Sequence, residues 1–276
     1  MTDEHPAPTP YGHIADLYDY FVQPERVNYD IPFFIQEARK AQGEVLELMA
    51  GTGRVSLPLI ESGVHLTCVD ASDEMLGVLR DKLAQRAGSG LQANLVKMDI
   101  RALDLGKRFN LILIPFQSFL EITSPFDQRI TLTRIRDHLA DQGHFICTMH
   151  NPAVRLKSVD GKYGLWGKRS LPKGGTLLVW GLQEHDAAQH IISGMQFYEE
   201  YDAQGVMRAR RLLNFSFQLL SKALFEQLIA PLGFRVLAMY GDYDGSQYAP
   251  ENSPYMIWIL EKAWQQRKTG PLRFGV

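Results

Sequence analysis

The sequence holds only two cysteines in 276 residues, Cys68 and Cys147. Both fall inside runs that read as strands. That excludes a disulfide-stapled secreted scaffold and predicts buried, reduced thiols in a reducing, cytoplasmic setting. No apolar run reaches membrane-spanning length, so no membrane partner is expected. The polar start, Met1 to Pro10, lacks the apolar core of a signal peptide and reads as a flexible leader. Charge of one sign is also missing. A formal net charge of −2 gives no general attraction to nucleic acid. Repeats and low-complexity tracts are absent. With 45% hydrophobic residues, the chain can still bury a sizeable core.

What is present starts at Val45-Leu46-Glu47-Leu48-Met49-Ala50-Gly51-Thr52-Gly53-Arg54. After one short helix comes Leu66-Thr67-Cys68-Val69-Asp70. This reads as a buried strand with an acid near its end, a glycine turn, a helix, and a second strand ending in an acid. It is the pattern of a nucleotide pocket at the carboxyl ends of parallel strands. A dinucleotide site wants a third glycine three residues after the second, and that place holds Ser56. Glu47 would repel a diphosphate but suits a ligand with an ammonium group.

The chain resembles a class I S-adenosylmethionine (SAM)-dependent methyltransferase. Glu47, Gly51 and Gly53 match that family's first motif, an acid followed by Gly-x-Gly-x-Gly. Met49 departs from it, standing where the first glycine lies. The backbone there then sits further from the cofactor, or the Met49 side chain lines the pocket.

Strands are predicted at 45–48, 65–70, 92–97, 110–114 and 144–149, and helices at 11–21, 29–41, 55–61, 73–86 and 125–139. Ser72 and Ser124 are N-caps, Asp73 and Glu74 suit the positive end of the helix dipole, and Pro125 fits the first helical position. The alternation predicts an α/β fold, a doubly wound, mostly parallel Rossmann-like sheet. After Asn151-Pro152 the pattern changes. Residues 155–175 read as loop, followed by three antiparallel strands at 176–185, 190–201 and 206–219, with a turn at 202–205. Ser221 then caps a helix to Pro231, and strands follow at 234–241 and 255–261. The resemblance implies a seven-stranded order 3-2-1-4-5-7-6. The expected division is a leader (1–10), a SAM-binding core (11–154), an antiparallel insertion over the substrate site (155–220), the end of the core (221–263) and a tail (264–276).

An acid ending the second strand, Asp70, can accept both hydrogen bonds of a ribose diol. Ala71 and Met75 would flank the adenine. The resemblance gives Asp99, followed by Ile100, the adenine amine. Each acid can also be read as an ordinary turn residue. Ala50 and Arg54 complete the glycine turn. Pro115 ends the fourth strand. Phe116 or a tyrosine can face the sulfonium by cation–π attraction, or Phe116 and Phe119 simply pack. Tyr11, Ala15, Tyr18 and Asp19 match a leader helix that closes over the cofactor in many small-molecule methyltransferases; the alternative is a helix fixed by its aromatic face. Tyr18 is a further catalytic candidate.

Methyl transfer from a sulfonium is an in-line displacement, and alignment alone can supply about 7–11 kcal/mol. A hydroxyl acceptor needs a base, whereas an amine need only arrive neutral. His150 is the base candidate, with a hydrogen-bonded structural histidine as the other reading. Gln117, Ser118, Glu121, Asn151, Trp166, Tyr243 and Asp244 are the expected substrate contacts. No metal is called for. Arg208 and Arg210 alternate onto one, solvated strand face, and the basic tail residues Arg267, Lys268 and Arg273 make no RNA groove. No Asn-Pro-Pro-aromatic motif of amino-methylating DNA enzymes occurs. The layout is similar to amino-sugar dimethyltransferases and glycine N-methyltransferase-like enzymes. It implies SAM as cofactor, S-adenosylhomocysteine as product, and a small-molecule acceptor, an amine ahead of an oxygen. A homodimer stays open. The competing readings are a degenerate binding module, prompted by Met49, and a nicotinamide oxidoreductase, disfavoured by Ser56 and Glu47.

Overall fold

The computed structural model describes residues 11–21, 28–86 and 92–263. The leader and tail expected at the two ends lie outside the described residues. The chain order begins with helices α1 (Ala15–Phe21) and α2 (Ile31–Ala41), then β1 (Val45–Leu48), α3 (Ser56–Glu61), β2 (Leu66–Asp70), α4 (Asp73–Ala84) and β3 (Asn94–Lys97). It continues with β4 (Phe109–Ile114), α5 (Pro125–His138) and β5 (Leu139–His150). All four residues of β1 are buried, because the strand is central and both its faces are covered. Ser72 accepts a hydrogen bond from the Met75 N–H, and Ser124 from the Asp127 N–H, so both act as the expected caps.

After a short helix, α6 (Pro152–Arg155), the chain makes four strands: β6 (Gly164–Ser170), β7 (Thr176–Asp186), β8 (Ile191–Tyr201) and β9 (Met207–Gln218). It closes with α7 (Lys222–Ile229), β10 (Phe234–Tyr240) and β11 (Tyr255–Lys262). Seven strands form one sheet in the order β10-β11-β5-β4-β1-β2-β3. That is the order the resemblance implied. β11 runs antiparallel to both β10 and β5, and the other pairings are parallel.

Two expectations are corrected. Residues 155–175 are not a loop throughout, since β6 pairs with β7 and makes a four-stranded second sheet. Its register slips between Leu165 and Gly167, and that slip hides the alternation that marks a strand. β5 begins at Leu139, not His144, and its first residues pair with Phe109 across an irregularity.

The second sheet is tied to the core by α1. Ile14 and Leu17 pack with Leu177, Val179, Tyr198 and Leu213 of its inner face. Arg208 and Arg210 lie exposed on the other side, paired with Asp202 and Glu199. Cys68 and Cys147 are buried and free. Among the described residues no helix is long and apolar enough to cross a membrane.

Candidate active site

The parallel strand order reverses between β1 and β4, and their carboxyl ends leave a crevice there. A cavity of about 400 Å³ opens at this point. Asp70 forms its polar floor. One carboxylate oxygen accepts the Gly51 N–H at 2.8 Å and the other accepts the Ser72 N–H at 2.8 Å. Burial pushes the Asp70 carboxyl up, and these two backbone donors oppose the shift. Each oxygen keeps a lone pair for a ligand. Gly51 adopts a left-handed φ of +56°, and a Cβ there would meet nothing within 4 Å, so the space above the turn is open. Ala71, Met75, Met98 and Ile100 give the cavity apolar walls.

Met49 also lines this cavity, in a left-handed conformation with φ +57°. The backbone therefore keeps the glycine-like bend and carries a thioether at its rim. Gly53 does not line the cavity. It lets α4 approach, since a Cβ would sit 2.3 Å from Leu79 Cδ1. Asp99 lines the cavity but is already shared: the Arg101 Nε donates to its two oxygens at 3.0 and 2.9 Å. That partner holds the Asp99 carboxyl below the ordinary range.

A second cavity of about 410 Å³ lies between the strand ends and the inner face of the second sheet. Phe116, Gln117, His150, Trp166 and Tyr243 line it, as do Phe215, Phe217 and Tyr255. Phe116 and Gln117 are consecutive left-handed residues, φ +55° and +60°. Such paired strain costs about 1–3 kcal/mol per residue and is characteristic of functional turns. Tyr11, Tyr18 and Glu121 line both cavities and are the wall between them. The Tyr11 hydroxyl donates to Glu121 Oε1 at 3.1 Å, and the two tyrosine rings meet edge-on at 6.0 Å. Burial raises the Glu121 carboxyl from 4.5 to about 7.

Several sequence candidates lie elsewhere. Glu47 is 1% exposed, lines neither cavity and accepts from Ser56 Oγ at 2.7 Å; burial pushes it up to about 8. The acid in the first motif is thus a buried support of the turn. Arg54 lines neither cavity and holds Asp30 through two 2.7 Å hydrogen bonds. Its guanidinium sits 4.7 Å from the Phe116 ring centroid. Ala50 and Pro115 are buried outside both cavities. Asn151 is a loop tie: it donates to the Pro250 and Ser253 carbonyls at 2.7 and 2.8 Å. Asp244 is exposed and accepts the Ser246 N–H of its own turn. His150 does line the acceptor cavity, but burial first and Arg155 second lower its pKa to about 3. It is neutral at physiological pH and a poor base. Asp30, Gln183, Gln196, Phe215 and Phe217 escaped sequence reading; the i, i+2 spacing of the last two with Leu213 is the signal that places them on one face.

The cavity chemistry fits SAM. It offers a diol acceptor in Asp70, apolar walls for a purine, and an acidic lining in which Arg101 is paired with Asp99 and Asp127. Residues 45–143 match a family model described as a methyltransferase domain. The chain is 25% identical, over 91% of its length and 86% of the relative's, to a glycine/sarcosine N-methyltransferase of Halorhodospira halochloris. Among solved structures, the CcbJ methyltransferase of Streptomyces caelestis superposes with a TM-score of 0.76 at 23% identity, covering 93% of this chain and 99% of that one. The sugar N-methyltransferase KedS8 of a Streptoalloteichus species gives 0.70 at 16%, covering 89% and 93%.

Proposed function

We propose that this chain, a SAM-dependent methyltransferase of small molecules, takes an amine nitrogen as its acceptor and deprotonates it with Glu121. The observation that carries the reading is the position of Glu121, a half-buried carboxylate on the wall shared by the two cavities. The glycine/sarcosine and sugar N-methyltransferase relatives point the same way.

When bound, SAM supplies an electrophilic methyl group on a sulfonium. Asp70 would hold the ribose, and Ala71, Met75, Met98 and Ile100 the adenine. Tyr11 and Tyr18 cover the junction and keep water from it. Aromatic faces of the second cavity attract a cationic amine, worth about 0.5–2 kcal/mol per well-placed ring. An ammonium has no lone pair, so it must lose a proton before the nitrogen can attack. Glu121, near pKa 7, matches that task, and the Tyr11 hydroxyl fixes its orientation. With SAM bound, the deprotonated nitrogen would be the nucleophile that its methyl group requires, and Glu121 would keep the proton.

Glu121→Gln keeps the shape and the Tyr11 contact but removes the base. We expect kcat to fall about 10²-fold near neutral pH, with SAM affinity unchanged. The deficit should shrink as pH rises toward the pKa of the free amine. Rates over pH with matched amine and phenol acceptors test this. A phenol turned over faster than every amine would overturn the amine assignment.

A further inference from the structure

β7 and β8 turn one face toward the acceptor cavity, and on that face two glutamines stand against two glycines. Gln183 is in register with Gly194, and Gln196 with Gly181. The glutamines are therefore diagonal neighbours on adjacent strands, about 7–8 Å apart and within reach of each other's long side chains. Both line the cavity. The glycines are needed for what lies over them. A Cβ on Gly181 would run into the Trp166 ring, and one on Gly194 into Phe215 Cζ. Two aromatic rings thus pack directly on the sheet backbone beside the glutamines, and both rings line the cavity too.

Each amide is oriented through its oxygen. The Tyr198 hydroxyl donates to Gln196 Oε1 at 2.8 Å, and Arg155 Nη2 donates to Gln183 Oε1. A guanidinium can only donate, so it fixes which end of the Gln183 amide it meets. Among the described residues neither Gln183 Nε2 nor Gln196 Nε2 donates to a protein group. Gln196 is only 8% exposed, and an amide withdrawn from water this far is costly until a partner arrives.

The surroundings select that partner. Asp30 and Glu121 are the acids lining the cavity, no lysine or arginine among the described residues lines it, and His150 is neutral. A carboxylate would meet those acids and no cation. A hydroxyl would bring a donor to amides whose oxygens are already engaged. A carbonyl oxygen has no charge and no proton, and offers one lone pair to each NH₂.

We propose that the acceptor carries a neutral carbonyl as well as its amine, and that Gln183 and Gln196 clamp that carbonyl oxygen. The proposal rests on the N-methylation reading for the amine, while the clamp itself can be tested without it.

Acetophenone, 1-phenylethanol and benzoate are of similar size, lack a nucleophilic nitrogen and differ in the oxygen they present. Each is titrated calorimetrically into the protein saturated with S-adenosylhomocysteine. Acetophenone should bind about tenfold more tightly than benzoate and at least about threefold more tightly than 1-phenylethanol. Gln183→Glu keeps a partner for Arg155 but puts an oxygen where the NH₂ was, and Gln196→Met keeps the side-chain length without a donor. Each should lower acetophenone affinity about three- to tenfold and leave S-adenosylhomocysteine affinity unchanged. If Gln196→Met does not fold, Gln183→Glu alone carries the test. Equal affinity for the three probes, tighter binding of benzoate, or no binding of any overturns the clamp, as does a preference for acetophenone that survives substitution. A chain that selects acetophenone yet methylates no amine fails the N-methylation reading alone.

Discussion

The cofactor and acceptor cavities have nearly the same volume, about 400 and 410 Å³, but are assembled in different ways. The cofactor cavity draws most of its lining from turns that directly follow parallel strands, and Asp70 is the acid there that two backbone N–H groups hold in place. The acceptor cavity gathers aromatic side chains from α1, the entry to α2, the β4 turn, the end of β5, the second sheet and the β10–β11 loop. One half is specified by a few local bends and the acids they carry. The other is specified by the meeting of distant segments, so chemistry there can change without disturbing the first half.

That contrast predicts unequal sensitivity. Asp70→Ala removes the ribose acceptor and the partner of two backbone N–H groups. Losing two hydrogen bonds to a charged group costs about 3–6 kcal/mol, so S-adenosylhomocysteine affinity should drop by at least about 10²-fold. Phe217→Leu, a single stone in the aromatic wall, should weaken an acceptor about tenfold or less. Calorimetry on both variants, with a circular dichroism check of folding, reads the pair. Equal losses would erase the distinction between a concentrated and a distributed site.

The same distinction governs what the sequence made legible. β1 and β2 appear as short apolar runs because a central parallel strand is covered on both faces. Asp70 and Gly51 could be placed because the strand–turn–helix geometry is local. Glu47 lies outside both cavities for a reason in that geometry. With both faces covered, an acid one residue before the strand end can point into protein as readily as toward a ligand, and here Ser56 holds it inside. Asn151 and Asp244 look like site residues because they follow strands, yet Asn151 ties down the β10–β11 loop and Asp244 satisfies its own turn. Gln183 and Asp30 meet only through folding, so no spacing announces them.

The burial of Glu47 has a pH effect. The folded chain holds the Glu47 proton up to about pH 8, whereas an ordinary glutamate releases it near 4.5. The folded state therefore binds the proton more tightly. The stability this contributes is fully present below about pH 4.5 and is lost as pH rises toward 8. Glu121 adds a term of the same sign up to about pH 7. Thermal melts should show a midpoint that falls between about pH 5 and about pH 8. Glu47→Gln keeps an acceptor for Ser56 without a titrating group and should flatten much of that slope. An unchanged slope would return Glu47 to a charged role at the cofactor.

The smallest effect concerns Met49, where the two halves of the argument for the glycine turn compete. A left-handed φ of +57° costs a side-chain-bearing residue about 1–2 kcal/mol, which glycine would not incur. Met49→Gly releases that strain but gives up a half-buried thioether that packs against the core and lines the cofactor cavity. That loss is about 1 kcal/mol, and a more flexible unfolded chain adds up to about 1 more. Global stability should then stay within about 1 kcal/mol of the parent, with cofactor affinity lower by a few-fold. Met49→Ala loses the same contact but retains the strained bend. Glycine at this position should therefore be more stable than alanine by about 1 kcal/mol in urea titrations, the reverse of their order in a strand or helix. An alanine variant that matches or exceeds the glycine one would mean that the turn relaxes when Met49 is removed, and that the thioether, not the backbone bend, shapes the rim of the cofactor cavity.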